Sequence, residues 1–102
     1  MKKAYIITFD KIVSLTTLHN IIGSLHDKGY VEHWCRYVSN SYIVISTLNF
    51  NQLNEYIGNR LNSSDRKYLV IEVDLNNCNG WMPNEAWEWI RKGKKSLSDS
   101  VT

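Results

Sequence analysis

Asp10 is the residue of this chain best placed to do chemistry. It closes the run Ala4-Tyr5-Ile6-Ile7-Thr8-Phe9, and a carboxylate leaving the end of a buried strand can cap a turn or hold a divalent cation. One carboxylate is a poor metal site by itself. A two-fold axis could bring two copies of Asp10 together around one Mg²⁺. Asp74, Asn76 and Glu85 fall at positions one, three and twelve of a calcium-loop pattern, but Gly80 falls at seven rather than six and Asp74 leaves a strand rather than a helix. His19 and His26 are seven apart and share a helix face without a Cys or carboxylate at matching spacing, so they read as surface residues. His33 and Cys35 alternate onto one strand face, where nothing completes a metal site. The chain has no phosphate loop, dinucleotide fingerprint, zinc-protease helix or nucleophile elbow. If it is an enzyme, its chemistry must use carboxylates and a borrowed metal, Mg²⁺ or Mn²⁺.

Two other groups could bind rather than react. Arg91, Lys92, Lys94 and Lys95 form a local basic run suited to phosphate, although a net charge of +2 is too small to establish a nucleic-acid partner. Four Trp and six Tyr are more than a core of this size can hide. Tyr42, Tyr68, Trp81, Trp87 and Trp89 are the candidate interface aromatics. Tyr42 and Tyr68 could stack bases, yet Ser39-Asn40-Ser41-Tyr42-Ile43-Val44 lacks the glycine-aromatic signature of sheet-type RNA binders.

The elements that must position these residues follow from periodicity. Strands are expected over Lys3 to Phe9, Val31 to Val38, Ser41 to Thr47 and Lys67 to Asp74. A first helix over Ser14 to Lys28 has Ser14 as its cap, Leu15, Leu18, Ile22 and Leu25 as its apolar stripe, and Gly29 as its stop. A second, from Asn49 or Phe50 to Leu61, has Asn49 as cap and Phe50, Leu53, Ile57 and Leu61 as stripe, with Gly58 marking a close approach. The order β-α-β-β-α-β predicts an α+β, ferredoxin-like βαββαβ sandwich with strand order 4-1-3-2 and both helices on one face. The other face, expected to carry Ile6, Tyr42, Val44, Tyr68 and Val70, is too apolar for bare solvent. A second copy of the chain or the C-terminal segment must cover it. That segment predicts an added helix from Pro83 to about Lys92, with Ala86, Trp87 and Ile90 docking on the body.

The 102 residues make one domain. We expect a ferredoxin-like unit with its C-terminal helix over 1–95 and a flexible tail over 96–102. Two cysteines, Cys35 and Cys78, make no disulfide framework. The Met-Lys-Lys start precedes too few apolar residues for a signal peptide, and no run approaches a membrane span, so a soluble cytoplasmic protein with no membrane partner is expected.

Tyr5-Ile6-Ile7-Thr8-Phe9-Asp10, Gly29 before the strand hairpin, Tyr68-Leu69-Val70-Ile71-Glu72-Val73 and the closing stretch Gly80-Trp81-Met82-Pro83-Asn84-Glu85-Ala86-Trp87-Glu88-Trp89-Ile90 together resemble the SinR-like small bacterial and phage proteins. These are grouped with the CRISPR-associated Cas-two family and, more distantly, with VapD-like toxins. The resemblance spans about residues 3 to 92, and its Trp-rich closing segment is its most specific part. It implies a ferredoxin-like homodimer. In the Cas-two family the aspartate closing strand one is the metal-linked residue, and it corresponds to Asp10 here. The expectation is therefore a nucleic-acid-associated homodimer, with Asp10 as catalytic and metal residue of a metal-dependent nuclease. The alternative is a non-catalytic protein-interaction or nucleic-acid-binding module on the same fold.

Overall fold

The computed structural model describes residues 2–11 and 13–99. Seven elements define the architecture: β1 (Lys3–Phe9), α1 (Leu15–Asp27), β2 (Val31–Val38), β3 (Ser41–Ser46), α2 (Phe50–Gly58), β4 (Tyr68–Val73) and α3 (Asn84–Asp99), with a short 3₁₀ turn at Ser63–Asp65. The four strands form one antiparallel sheet in the order β2-β3-β1-β4. The chain is thus α+β, and its most apolar strand, β1, is interior.

The local signals set the helix ends. Ser14 Oγ accepts the Thr17 N–H at 3.1 Å, so α1 begins where its first orphan donors are met. Gly29, at φ 78°, stops it in the left-handed region. Asn49 and Gln52 form a reciprocal capping box at the start of α2. That helix ends at Gly58 rather than Leu61, although Leu61 is still buried. The hydroxyl of Tyr68 stands 3.0 Å from where a Gly58 Cβ would be, which accounts for the glycine. Ser39-Asn40 turns the β2–β3 hairpin, with Asn40 at φ 61°.

Side-chain alternation divides the molecule into two cores. Tyr5, Ile7 and Phe9 of β1 and Tyr42 and Val44 of β3 pack beneath Leu18, Ile21, Ile22 and Leu25 of α1 and Leu53 and Ile57 of α2. Leu15 and Phe50, expected in the apolar stripes, are exposed at the first turns of their helices. The opposite face packs Ala4, Ile45 and Leu75 against Ile90 of α3. The expected membership of this second face is corrected in four residues. Tyr42 and Val44 are buried on the α1/α2 side, and Tyr68 and Val70 pack against the same core. Ile6 is on this face as expected; the register pairs it with Ile43 and Ile71, and these two, with Leu69 and Val73, take the other places. A one-residue misreading of alternation moves a whole strand to the wrong side.

The C-terminal segment supplies part of the missing cover. α3 continues to Asp99 instead of ending near Lys92, which corrects the tail expected over 96–102 as far as 99. Residues 100–102 lie outside the described residues. Ala86, Ile90, Gly93 and Leu97 recur at spacings of three and four and form its inner stripe. Gly93 permits the close approach: a Cβ there would lie 2.9 Å from Ile45 Cδ1 and 3.2 Å from Leu75 Cδ1. Among the described residues, no helix is long and apolar enough to cross a membrane.

Candidate functional site

Asp10 sits half-buried where β1 leaves the sheet. Its N–H donates to the Lys67 carbonyl at 2.8 Å, and its own carbonyl accepts from Val13 N at 3.2 Å, so its backbone forms a turn at the sheet's end. Beside it, Ser41 Oγ donates to Thr8 Oγ1 at 3.0 Å, and Lys67 N bonds the Asp65 carbonyl. Asp74 lies at the opposite end of the sheet, because Val73 pairs with Ala4. Its Oδ1 accepts the Asn76 N–H at 2.9 Å in a local turn. Among the described residues, no three His, Cys, Asp or Glu side chains come together in a way that could hold a metal ion.

The basic residues are partly gathered. At 100° per residue, Lys92 falls toward the Ser96 flank of α3 and Lys95 on its outer side, opposite the inner stripe, whereas Arg91 and Lys94 fall on the flank with Trp87. Lys92, Lys95 and Ser96 line a groove of about 300 Å³ with Lys2, Glu32 and His33. A register shift in β2 between Val31 and His33 accompanies the placement of Glu32 and His33 together in this groove. Glu32 is the hub of the groove. It meets Lys2 Nζ at 2.5 Å and His33 Nε2 at 3.2 Å, and accepts the Ser96 hydroxyl at 3.1 Å. The Lys2 hydrogen bond, with smaller help from Ser96 and His33, holds its carboxyl below the usual range. One carboxylate thus faces three lysines and a histidine, and the groove has an excess of positive charge.

The aromatic candidates separate by burial. Tyr42 is fully buried, which corrects its place among surface aromatics. Trp34 stacks on its ring and Phe9 and His19 meet it edge-on. Tyr68 is half-buried against Phe9, and its hydroxyl donates to Asn54 Oδ1. Trp87 and Trp89 are half-buried around the second core. Trp81 alone of these five is wholly exposed. His19 and His26 are on the surface, and Cys35 is buried while Cys78 is exposed.

Two features escape a reading of the sequence. One is the contribution of Lys2, Glu32 and His33 to the basic groove, beside a register shift in β2. The other is an apolar cleft of about 530 Å³ on the second face, where Ile6, Ile43 and Val73 meet Met82, Trp87 and Ile90. Leu69 and Ile71 remain exposed on that same face. The alternation of β4 carries this signal, once its two faces are assigned correctly. No family model, no curated protein and no solved structure matches the chain.

Proposed function

We propose that this chain is a nucleic-acid-associated homodimer on a ferredoxin-like βαββαβ scaffold, of the kind its resemblance to the Cas-two and SinR-like proteins implies. The observation that supports it is the groove between α3 and β2, where Lys2, Lys92, Lys95 and His33 face a single carboxylate, Glu32. Such a groove suits phosphate groups, which carry charge without sequence information. Arg91 is next to Lys95 on the outer side of the helix, whereas Lys94, on the Trp87 flank, is outside the groove.

Nuclease chemistry is the finer part of the proposal and rests on Asp10. A lone carboxylate takes a divalent ion when phosphate oxygens complete the shell, so any cation here arrives with the substrate. Fluorescence anisotropy of labelled single- and double-stranded RNA and DNA across a salt series tests the binding. Affinity should fall steeply with salt. The combined change Lys92→Ala and Lys95→Ala should flatten the log–log slope by about 2, since each lysine that meets a phosphate accounts for about 1. Absence of binding at low salt overturns the reading. Incubation with Mg²⁺ or Mn²⁺ beside Asp10→Ala tests the chemistry. Cleavage abolished in the variant assigns it to Asp10, and cleavage unchanged in the variant removes Asp10 from it.

Exposure of Trp81, Leu69 and Ile71 favours the second reading, a non-catalytic protein-interaction module. Salt distinguishes the two, because an aromatic and aliphatic contact loses little affinity at ionic strengths that release phosphate.

A further inference from the structure

The two edges of the sheet are built differently. β2 is interrupted by two register shifts, between Val31 and His33 and between Cys35 and Val38, and it carries Glu32, His33 and Arg36. Those are features that discourage another strand from adding. β4 lacks those interruptions: its pairing with β1 is regular over six residues, it has no proline, its one charged residue, Glu72, is near its end, and Leu69 and Ile71 stand exposed on the second face. Its flanks are oppositely charged, with Arg66 and Lys67 before it and Glu72 and Asp74 at its end.

The hydrogen-bond parity of this edge follows from two bonds. Phe9 N donates to the Asn40 carbonyl, on the β3 side, and Asp10 N donates to the Lys67 carbonyl, on the β4 side. Even-numbered β1 residues therefore turn their backbone groups to β4, and their partners are Leu69, Ile71 and Val73. The groups of Tyr68, Val70 and Glu72 then point out of the sheet edge, with no backbone hydrogen bond to another of the described residues.

We infer that β4 pairs antiparallel with β4 of a second copy, with the two-fold axis at Val70, to make one continuous eight-stranded sheet. This rests on the homodimer part of the reading above and not on nucleic acid. Any axis through a β4 residue keeps the faces aligned, and the three at Leu69, Val70 and Ile71 keep most of the strand paired. The axis at Ile71 sets Glu72 against the partner's Val70. The axis at Leu69 sets Lys67 against the partner's Ile71 and leaves Val73 without a partner. The axis at Val70 sets Leu69 against the partner's Ile71 in both directions, Val70 against itself, and the basic start of each strand toward the acidic end of the other. It covers the exposed aliphatic pair and gives unlike charges at both ends. With strands about 4.8 Å apart and about 3.3 Å per residue, the two Asp10 lie about 25 Å from each other. One cation cannot bridge them.

The test uses the full chain with Cys78→Ser in all samples. Leu69→Cys and Ile71→Cys are made separately, at exposed positions, and oxidised alone and as an equimolar mixture. Opposed residues of a non-hydrogen-bonded pair lie at Cα separations of about 4.5 Å, within disulfide reach. The mixture should give a covalent dimer and neither variant alone should. Leu69→Cys linking to itself, or Ile71→Cys linking to itself, assigns the axis to that residue and overturns the Val70 register. Sedimentation of the unmodified protein separates the remaining failures. A dimer whose cysteine mixture does not cross-link retains the homodimer and overturns β4 pairing; a monomer at all concentrations overturns both.

Discussion

Cys35 and Cys78 differ in everything that governs thiol reactivity. Burial pushes the Cys35 thiol up to about 12, against a smaller opposing effect of a hydrogen bond to the Ile43 backbone. Cys78 is exposed, with its Sγ 3.3 Å from the Leu75 carbonyl. The native protein should therefore react with one equivalent of a disulfide reagent rapidly at pH 8, and with a second only after unfolding. Fast reaction of two thiols would contradict the burial. Tyr42 poses a different problem. Its hydroxyl is buried without a hydrogen-bond partner among the described residues, and burial raises its pKa. An unpaired buried hydroxyl costs about 1–3 kcal/mol, so Tyr42→Phe should stabilise the fold by about 1 kcal/mol in urea unfolding. Burial at this scale was only partly legible. Alternation showed that Tyr42 and Val44 share a face, but assigning that face needed the register with β1, which no local pattern contains. Asp10 was legible as a strand-end residue, and the strand order was enough to set Ser41 and Asp65, from two distant segments, near it and Asp74 at the opposite end.

Elements were read best where side chains act on their own helix. Ser14, Gly29 and Asn49 are local signals, and each is found doing what its type and position predict. The far end of α3 was not legible because Lys92, Lys94, Lys95 and Ser96 look like a solvated tail. Its cause is tertiary: Leu97 packs into the second core and Ser96 bonds Glu32. Gly93 is the closest point of that packing. Gly93→Ala would improve helix propensity by about 1 kcal/mol yet force a methyl against fully buried Ile45, where overpacking costs about 1–3 kcal/mol. The net expectation is a loss of about 1 kcal/mol in thermal or chemical unfolding, and a larger loss for Gly93→Val. The Lys2–Glu32–Ser96 contacts tie α3 to β2 and to the chain's start. Because the folded state lowers the Glu32 pKa, its contribution is present above the ordinary carboxylate value of 4.5 and lost as pH falls through the lower, folded value. Wild type should exceed Glu32→Gln in Tm at pH 7, by an amount equivalent to at most about 1 kcal/mol given the exposure of the pair. The difference should shrink progressively as the pH falls below 4.5; a gap unchanged at low pH would exclude the ion-pair explanation.

At the scale of the whole molecule, element order and apolar pattern were enough to anticipate a four-stranded antiparallel sheet with β1 inside. They could not show how far α3 reaches across the second face, because cover depends on the helix's path rather than its composition. The result is a sheet fully roofed on one side and partly roofed on the other, with the open part beside an unblunted edge. The proposed β4 pairing would leave the basic groove, on the β2 side, outside the seam. The loop carrying Trp81 has an optical consequence. Trp34, Trp87 and Trp89 are half-buried while Trp81 stands wholly in water, so the chain contains a native reporter whose emission is the most red-shifted and the most open to collisional quenching by iodide. With Trp81→Phe as the reference, that quenchable fraction isolates the 74–83 segment optically. A partner that covers this segment would then be seen as loss of quenching without any label attached.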